Sequence, residues 1–141
     1  MNYISLALGT LGATTTYLVL GGILFAALPM LQKEFLKYPN VFRPKDEMMR
    51  VMPLGMAAIV LENLVVTVLY AMAHPTGGSV AEGAQLGALI GVFAVCGFAL
   101  HNHMNLNIGI KLTLGQGVAY FLQWLAVGIV VSWIYTPAPG H

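Results

Sequence analysis

The chain has 141 residues, 58 % of them hydrophobic and 8 % charged, with a formal net charge of +1 and a mean hydropathy of +0.80. So little polar surface cannot cover a globule in water, and a net charge near zero, with no basic run outside one loop, leaves no electrostatic footprint for nucleic acid. A single cysteine, Cys96, excludes an internal disulfide and any CxxC redox or zinc site.

The first apolar stretch, Ile4 to Leu31, exceeds the roughly 20 residues a helix needs to cross a bilayer. It has no Lys or Arg before Lys33 and is longer than the apolar core of a secretory signal, so it is predicted to stay as a first membrane helix. The loop 32–50 that follows is the one charge-rich stretch, with Lys33, Lys37, Arg43, Lys45 and Arg50. In it Pro44, followed by Asp46 and Glu47, reads as a helix start with acids near the positive end of the dipole. Arg50 stands four residues from Asp46, in reach of a surface pair.

The second stretch, Val51 to His74, carries Asn63, Thr67, Tyr70 and His74 at i, i+4, i+7 and i+11, which keeps them on one helix face. Such groups are predicted to turn away from hydrocarbon, where an unpaired polar group costs several kcal/mol. Glu62 falls near the middle of the bilayer, about 16 Å along this stretch at the helical rise. An acid at that depth is predicted to be neutral or paired inside the bundle, and is a functional candidate.

The next loop, "PTGGSVAEGA", has no cation. The third stretch, Gln85 to Met104, is preceded and entered by Gly83, Gly87 and Gly91, a tandem GxxxG series with Ala84, Ala88 and Ala94 nearby. These small residues predict close backbone contact, within the chain or between chains.

"ALHNHMNLNIGIKL", residues 99–112, gathers the densest polarity in the chain. It reads as a tight turn at a membrane surface, spanning 104–108, with Asn105 or Asn107 as N-cap of the last helix and Lys111 extending to the interface. His101 and His103 are the candidate metal ligands, but side chains two apart on a helix point to nearly opposite sides. A haem held by two histidines is disfavoured because His74 and these two lie at opposite ends, about 30 Å apart, and His141 is in the tail. No cofactor is expected.

The fourth stretch, Ile108 to Tyr135, repeats the polar pattern with Thr113, Gln116, Tyr120 and Gln123. Tyr135 and Trp133 near its end, and Tyr38 in the first loop, suit an interfacial aromatic belt. Four spans with all cations in the first and third loops give an all-α, up-down four-helix membrane domain over residues 1–141. By the positive-inside rule loops 32–50 and 104–108 are cytoplasmic, both termini are outside, and the host is the inner (plasma) membrane.

"VFRPKDEMMRVMPLGMAA", together with "LHNHMNLNIGIKLTLGQGVAYFLQWLAVGIVVSWIY", resembles a family of small four-helix bacterial inner-membrane proteins. The resemblance implies that fold and carries over no active-site residue. The trimeric glutathione- and eicosanoid-handling membrane enzymes share length and helix count, but "RVMPLGMAAIVLENL" lacks their second-helix pattern.

The function expected from these features is that of a non-catalytic membrane protein, a homo-oligomer or an accessory subunit of a larger membrane complex, whose partners are lipid and other membrane chains. The alternative is a small proton-coupled transporter or channel using Glu62 and the inward stripes. A third is a membrane enzyme acting on a lipophilic substrate.

Overall fold

A computed structural model describes residues 2–27 and 29–137, with no account of the side chains of 26, 27, 29 and 30; His141 lies outside the described residues. All described secondary structure is helical: α1 (Tyr3–Ala27), α2 (Pro29–Phe35), α3 (Lys45–Ala73), α4 (Val80–Ala94), a wider π-helical turn (Val95–Leu100), α5 (His101–Asn105) and α6 (Ile110–Ile134). The three segments from Val80 to Asn105 form one continuous span, so four helices are long and apolar enough to cross a membrane.

Local chemistry sets the helix ends. Pro29, which has no amide N–H, opens the short α2, where a missing donor costs nothing. Helix α3 starts at Lys45 directly after Pro44, ahead of the apolar onset at Val51, with Asp46 and Glu47 in its first turn. The pair that forms there is Arg43 with Glu47, 3.8 Å apart, rather than Arg50 with Asp46. Helix α4 starts at Val80, before Gln85, because Ser79 and Glu82 make a capping box: the Glu82 N–H donates to Ser79 Oγ, and the Ser79 N–H donates to Glu82 Oε2 at 2.6 Å.

Neither Asn105 nor Asn107 caps α6. Asn105 ends α5, Gly109 is the N-cap, and it makes no side-chain cap bond. The Gly109 N–H donates instead to the Tyr38 hydroxyl at 2.8 Å, and Thr113 Oγ1 donates back to the Gly109 carbonyl at 3.3 Å.

Two sets of contacts fix which ends lie together. Tyr38 on Gly109 joins the first loop to the α5–α6 turn. At the other end Ser5 Oγ accepts from the Thr136 N–H at 2.6 Å, joining the start of α1 to the end of α6. Lys33, Lys37, Arg43, Lys45, Arg50 and Lys111, all six Lys and Arg of the chain, therefore gather at the end opposite Ser5.

Side by side, the spans run in the order α3, α1, α6, α4. Glycines explain the order, because helices in lipid associate where small residues let backbones approach. On α4, Gly83, Gly87 and Gly91 are buried, and a Cβ on them would meet Gly128 and Ser132, Trp124 and Leu125, and Phe121 of α6. The tandem series thus serves contact within the chain. On α1, Gly9 faces Thr67 of α3, while Gly12 and Gly21 face Ile134 and Gln123 of α6. The core lies where α1, α3 and α6 meet, around Ala13, Tyr70, Val127 and Val131. No such small-residue seam joins α3 to α4, and a groove separates them.

Candidate functional site

The polar stripe of α3 turns inward as its spacing predicts. Asn63, Thr67 and Tyr70 are fully buried, and their donors are largely taken by their own helix: Asn63 Nδ2 donates to the Ile59 carbonyl and Thr67 Oγ1 to the Asn63 carbonyl, each at 2.8 Å. His74, at the end of that stripe, stacks 4.8 Å from Tyr70 and brings Nδ1 to 3.6 Å from Glu82 Oε1.

On α6, Thr113, Gln116 and Gln123 are buried and Tyr120 is half-buried. Gln123 Nε2 donates to the Tyr17 carbonyl at 2.9 Å, a bond that crosses from α6 to α1. Thr113 Oγ1 lies 3.0 Å from His103 Nδ1, which gives His103 a structural role holding α5 against α6. His101 is exposed, and among the described residues no three His, Cys, Asp or Glu side chains converge as metal ligands.

Glu62 departs from the expectation that it turns inward. It is exposed, on the flank of α3 that faces the α3–α4 groove. The reason is angular: one residue turns a helix by about 100°. Asn63 takes the buried position, so its neighbour must point to the side. Glu62 stands roughly 25 Å along α3 from Lys45 and roughly 16 Å from Ala73, well inside the span. Among the described residues it has neither a hydrogen bond nor an ion pair.

Two adjoining cavities meet at Glu62. One is a chamber of about 270 Å³, lined by Glu62 together with Tyr17 of α1, Tyr120 and Trp124 of α6, and Phe98. Its wall towards the cationic end is formed by Gly55, Ala58 and Ile59 of α3. Tyr17, Glu62 and Tyr120 thus share one cavity, one residue each from α1, α3 and α6. The other is a groove of about 580 Å³, whose walls are Leu61, Val65 and Leu69 on α3 and Leu89, Ile90 and Phe93 on α4. Glu62, Ala94, Phe98 and Trp124 line both, so the two are continuous.

Packing holds this arrangement in place. Trp124 is nearly buried and lies 5.0 Å from the Tyr17 ring, and Tyr120 lies 5.9 Å from the ring of Phe25. The Gln123 bond to the Tyr17 carbonyl fixes α1 against α6 at the same level. Phe98 belongs to the π-helical turn, where the His101 N–H reaches back to the Cys96 carbonyl; such turns recur at functional sites. Of the polar residues marked out in the sequence, Glu62 and Tyr120 come together here. Tyr17, Trp124 and Phe98 carry no sequence signal that separates them from ordinary membrane-helix aromatics.

No family model, curated protein or solved structure matches the chain.

Proposed function

We propose that this chain is a multi-pass protein of the inner membrane that binds an apolar molecule entering sideways from the bilayer, with Glu62 holding its polar end. The observation that carries this reading is the position of Glu62, an exposed carboxyl well inside a span, at the junction of a tyrosine-lined chamber and an apolar groove. A charged side chain at the centre of a membrane helix costs about 2.5 to 3.5 kcal/mol on insertion scales, and such residues mark binding sites or pathways by default. Sites for small molecules are concave and mostly apolar, with a few convergent polar groups, which describes these cavities.

The gathering of the cations at the end opposite Ser5 supports an orientation with loops 32–50 and 104–108 in the cytoplasm and both termini outside. The proton-coupled pathway has less support. The stripes of α3 and α6 are packed against neighbouring helices, and of the eight residues in them Tyr120 is the one that lines the chamber.

One observation favours a second reading, the homo-oligomer or accessory subunit. Every residue of α3 from Lys45 to Ala58 is exposed, including Gly55, Ala57 and Ala58, which present a small-residue surface to another helix.

Native mass spectrometry of protein taken from its own membranes tests the first reading. Wild type is expected to retain an apolar molecule that Ala58→Phe, which fills the chamber, releases while remaining monodisperse. Bare wild-type protein, or equal retention by both, overturns it. A bound second protein chain in place of the molecule establishes the subunit reading instead.

A further inference from the structure

The division of the site into two unlike compartments says what kind of molecule fits. The chamber has three oxygen-bearing side chains, one each from α1, α3 and α6, and two aromatic side chains beside them. The groove walls are aliphatic apart from Phe93, Phe98, Trp124 and the acid itself, and reach along α3 as far as Leu69, away from Gly55. From Gly55 to Leu69 the site runs about 21 Å along α3. An occupant that fills both has a compact head and an aliphatic tail lying roughly parallel to the spans, as a lipid-phase molecule lies.

We infer that the occupant is of the lipoquinone class, a flat ring with carbonyl oxygens on a long aliphatic tail. The inference rests on the binding function proposed above and gives that site its ligand chemistry. Tyr17 and Tyr120 bring hydroxyl donors from two different helices, and Glu62 on α3 supplies a third when protonated. Donors spread over three helices suit a head with more than one acceptor oxygen, which a quinone ring has at its opposite edges. A compact cation would need a single anionic point. The rings of Trp124 and Phe98 offer faces for offset stacking on a flat head. Gly55, Ala58 and Ala94 leave the thickness that a ring needs. What is assigned is binding; no electron transfer is part of it.

Tryptophan fluorescence tests the assignment. The chain has two tryptophans, and Trp133 is exposed near the end of α6, so a Trp133→Phe background leaves Trp124 as the reporter. A decyl-tailed benzoquinone titrated into this protein in nanodiscs is expected to quench Trp124 saturably. Tyr17→Phe and Tyr120→Phe are each expected to weaken the apparent affinity about tenfold, the loss of one hydrogen bond near the upper end of its usual worth. Glu62→Gln keeps a donor and is expected to stay within about threefold of wild type, whereas Glu62→Leu loses tenfold or more.

Quenching that rises linearly with the quinone and is the same in every variant shows partition into lipid alone and overturns the assignment. A decylamine that binds saturably and is lost in Glu62→Gln also overturns it, in favour of a cationic head. If native mass spectrometry finds a retained apolar molecule while the quinone binds no variant saturably, the ligand class falls and the binding function stands. Absence of both removes the two together. Gel filtration of each variant separates loss of binding from loss of fold.

Discussion

The Tyr38 hydroxyl accepts a 2.8 Å hydrogen bond from the N–H of Gly109, 71 residues further along the chain. The bond supplies a partner to an amide at the start of α6 that has no side-chain cap, and it ties the charged first loop to the turn between the last two spans. Tyr38→Phe removes the acceptor. It is expected to cost about 0.5 to 1 kcal/mol, the low end of a hydrogen bond's worth because water reaches this end of the molecule. Thermal unfolding in detergent reads the change, and Tyr38→Phe as stable as wild type would deny the bond any weight.

The α4–α6 seam makes a stronger demand. A side chain at Gly87 would meet the Trp124 carbonyl and the backbone of Leu125, and backbone cannot turn aside as a flexible side chain can. Gly87→Val is expected to destabilise by about 1 to 3 kcal/mol, the usual range for overpacking. Gly22→Ala adds its methyl to open space on α1 and is the control, expected to hold or raise the melting temperature because Ala favours the helix over Gly. Equal melting temperatures for both variants would mean that α4 does not seat on α6 as described.

At the far end, Ser79 and Glu82 cap α4, and Glu82 also stands 3.6 Å from His74. Ser79→Ala is expected to cost about 1 kcal/mol by exposing the first-turn amides. Glu82→Gln keeps a side-chain acceptor for the Ser79 N–H and is expected to cost less, since the His74 contact is long and partly solvated. Hydrogen exchange of the amides of Ala81 to Gly83 checks the order: a larger rise in Glu82→Gln than in Ser79→Ala would place the stabilisation in the His74 contact instead.

The sequence displays some of this and hides the rest for definite reasons. Four apolar stretches of membrane length become the four spans, because length and hydropathy are properties of each helix alone. The inward turn of Asn63, Thr67, Tyr70 and Gln123 is legible because polar groups must leave lipid. The burial of Gly83, Gly87 and Gly91 is legible because close approach needs small residues.

The open flank between α3 and α4 is not legible. Lipid is as apolar as Leu, so Leu61, Val65 and Leu89 look the same whether they face a neighbouring helix, a groove or acyl chains. The direction of Glu62 is a different case, since a residue next to the inward-facing Asn63 is turned about 100° away from it. The early start of α4 was visible in S-x-x-E at Ser79 to Glu82, a local signal hidden by the later onset of the apolar run.

Labelling with the membrane-soluble dicyclohexylcarbodiimide, which reacts with carboxyl groups reached through lipid, tests most directly whether Glu62 opens sideways to the bilayer. Peptide mass analysis of protein in nanodiscs is expected to find the adduct on Glu62, absent from Glu47 and Glu82, and suppressed by prior addition of the decyl-tailed quinone. An unmodified Glu62 under conditions that label a carboxyl placed by mutation at exposed Val92 would mean that the acid is enclosed, and the open groove with everything built on it would be wrong.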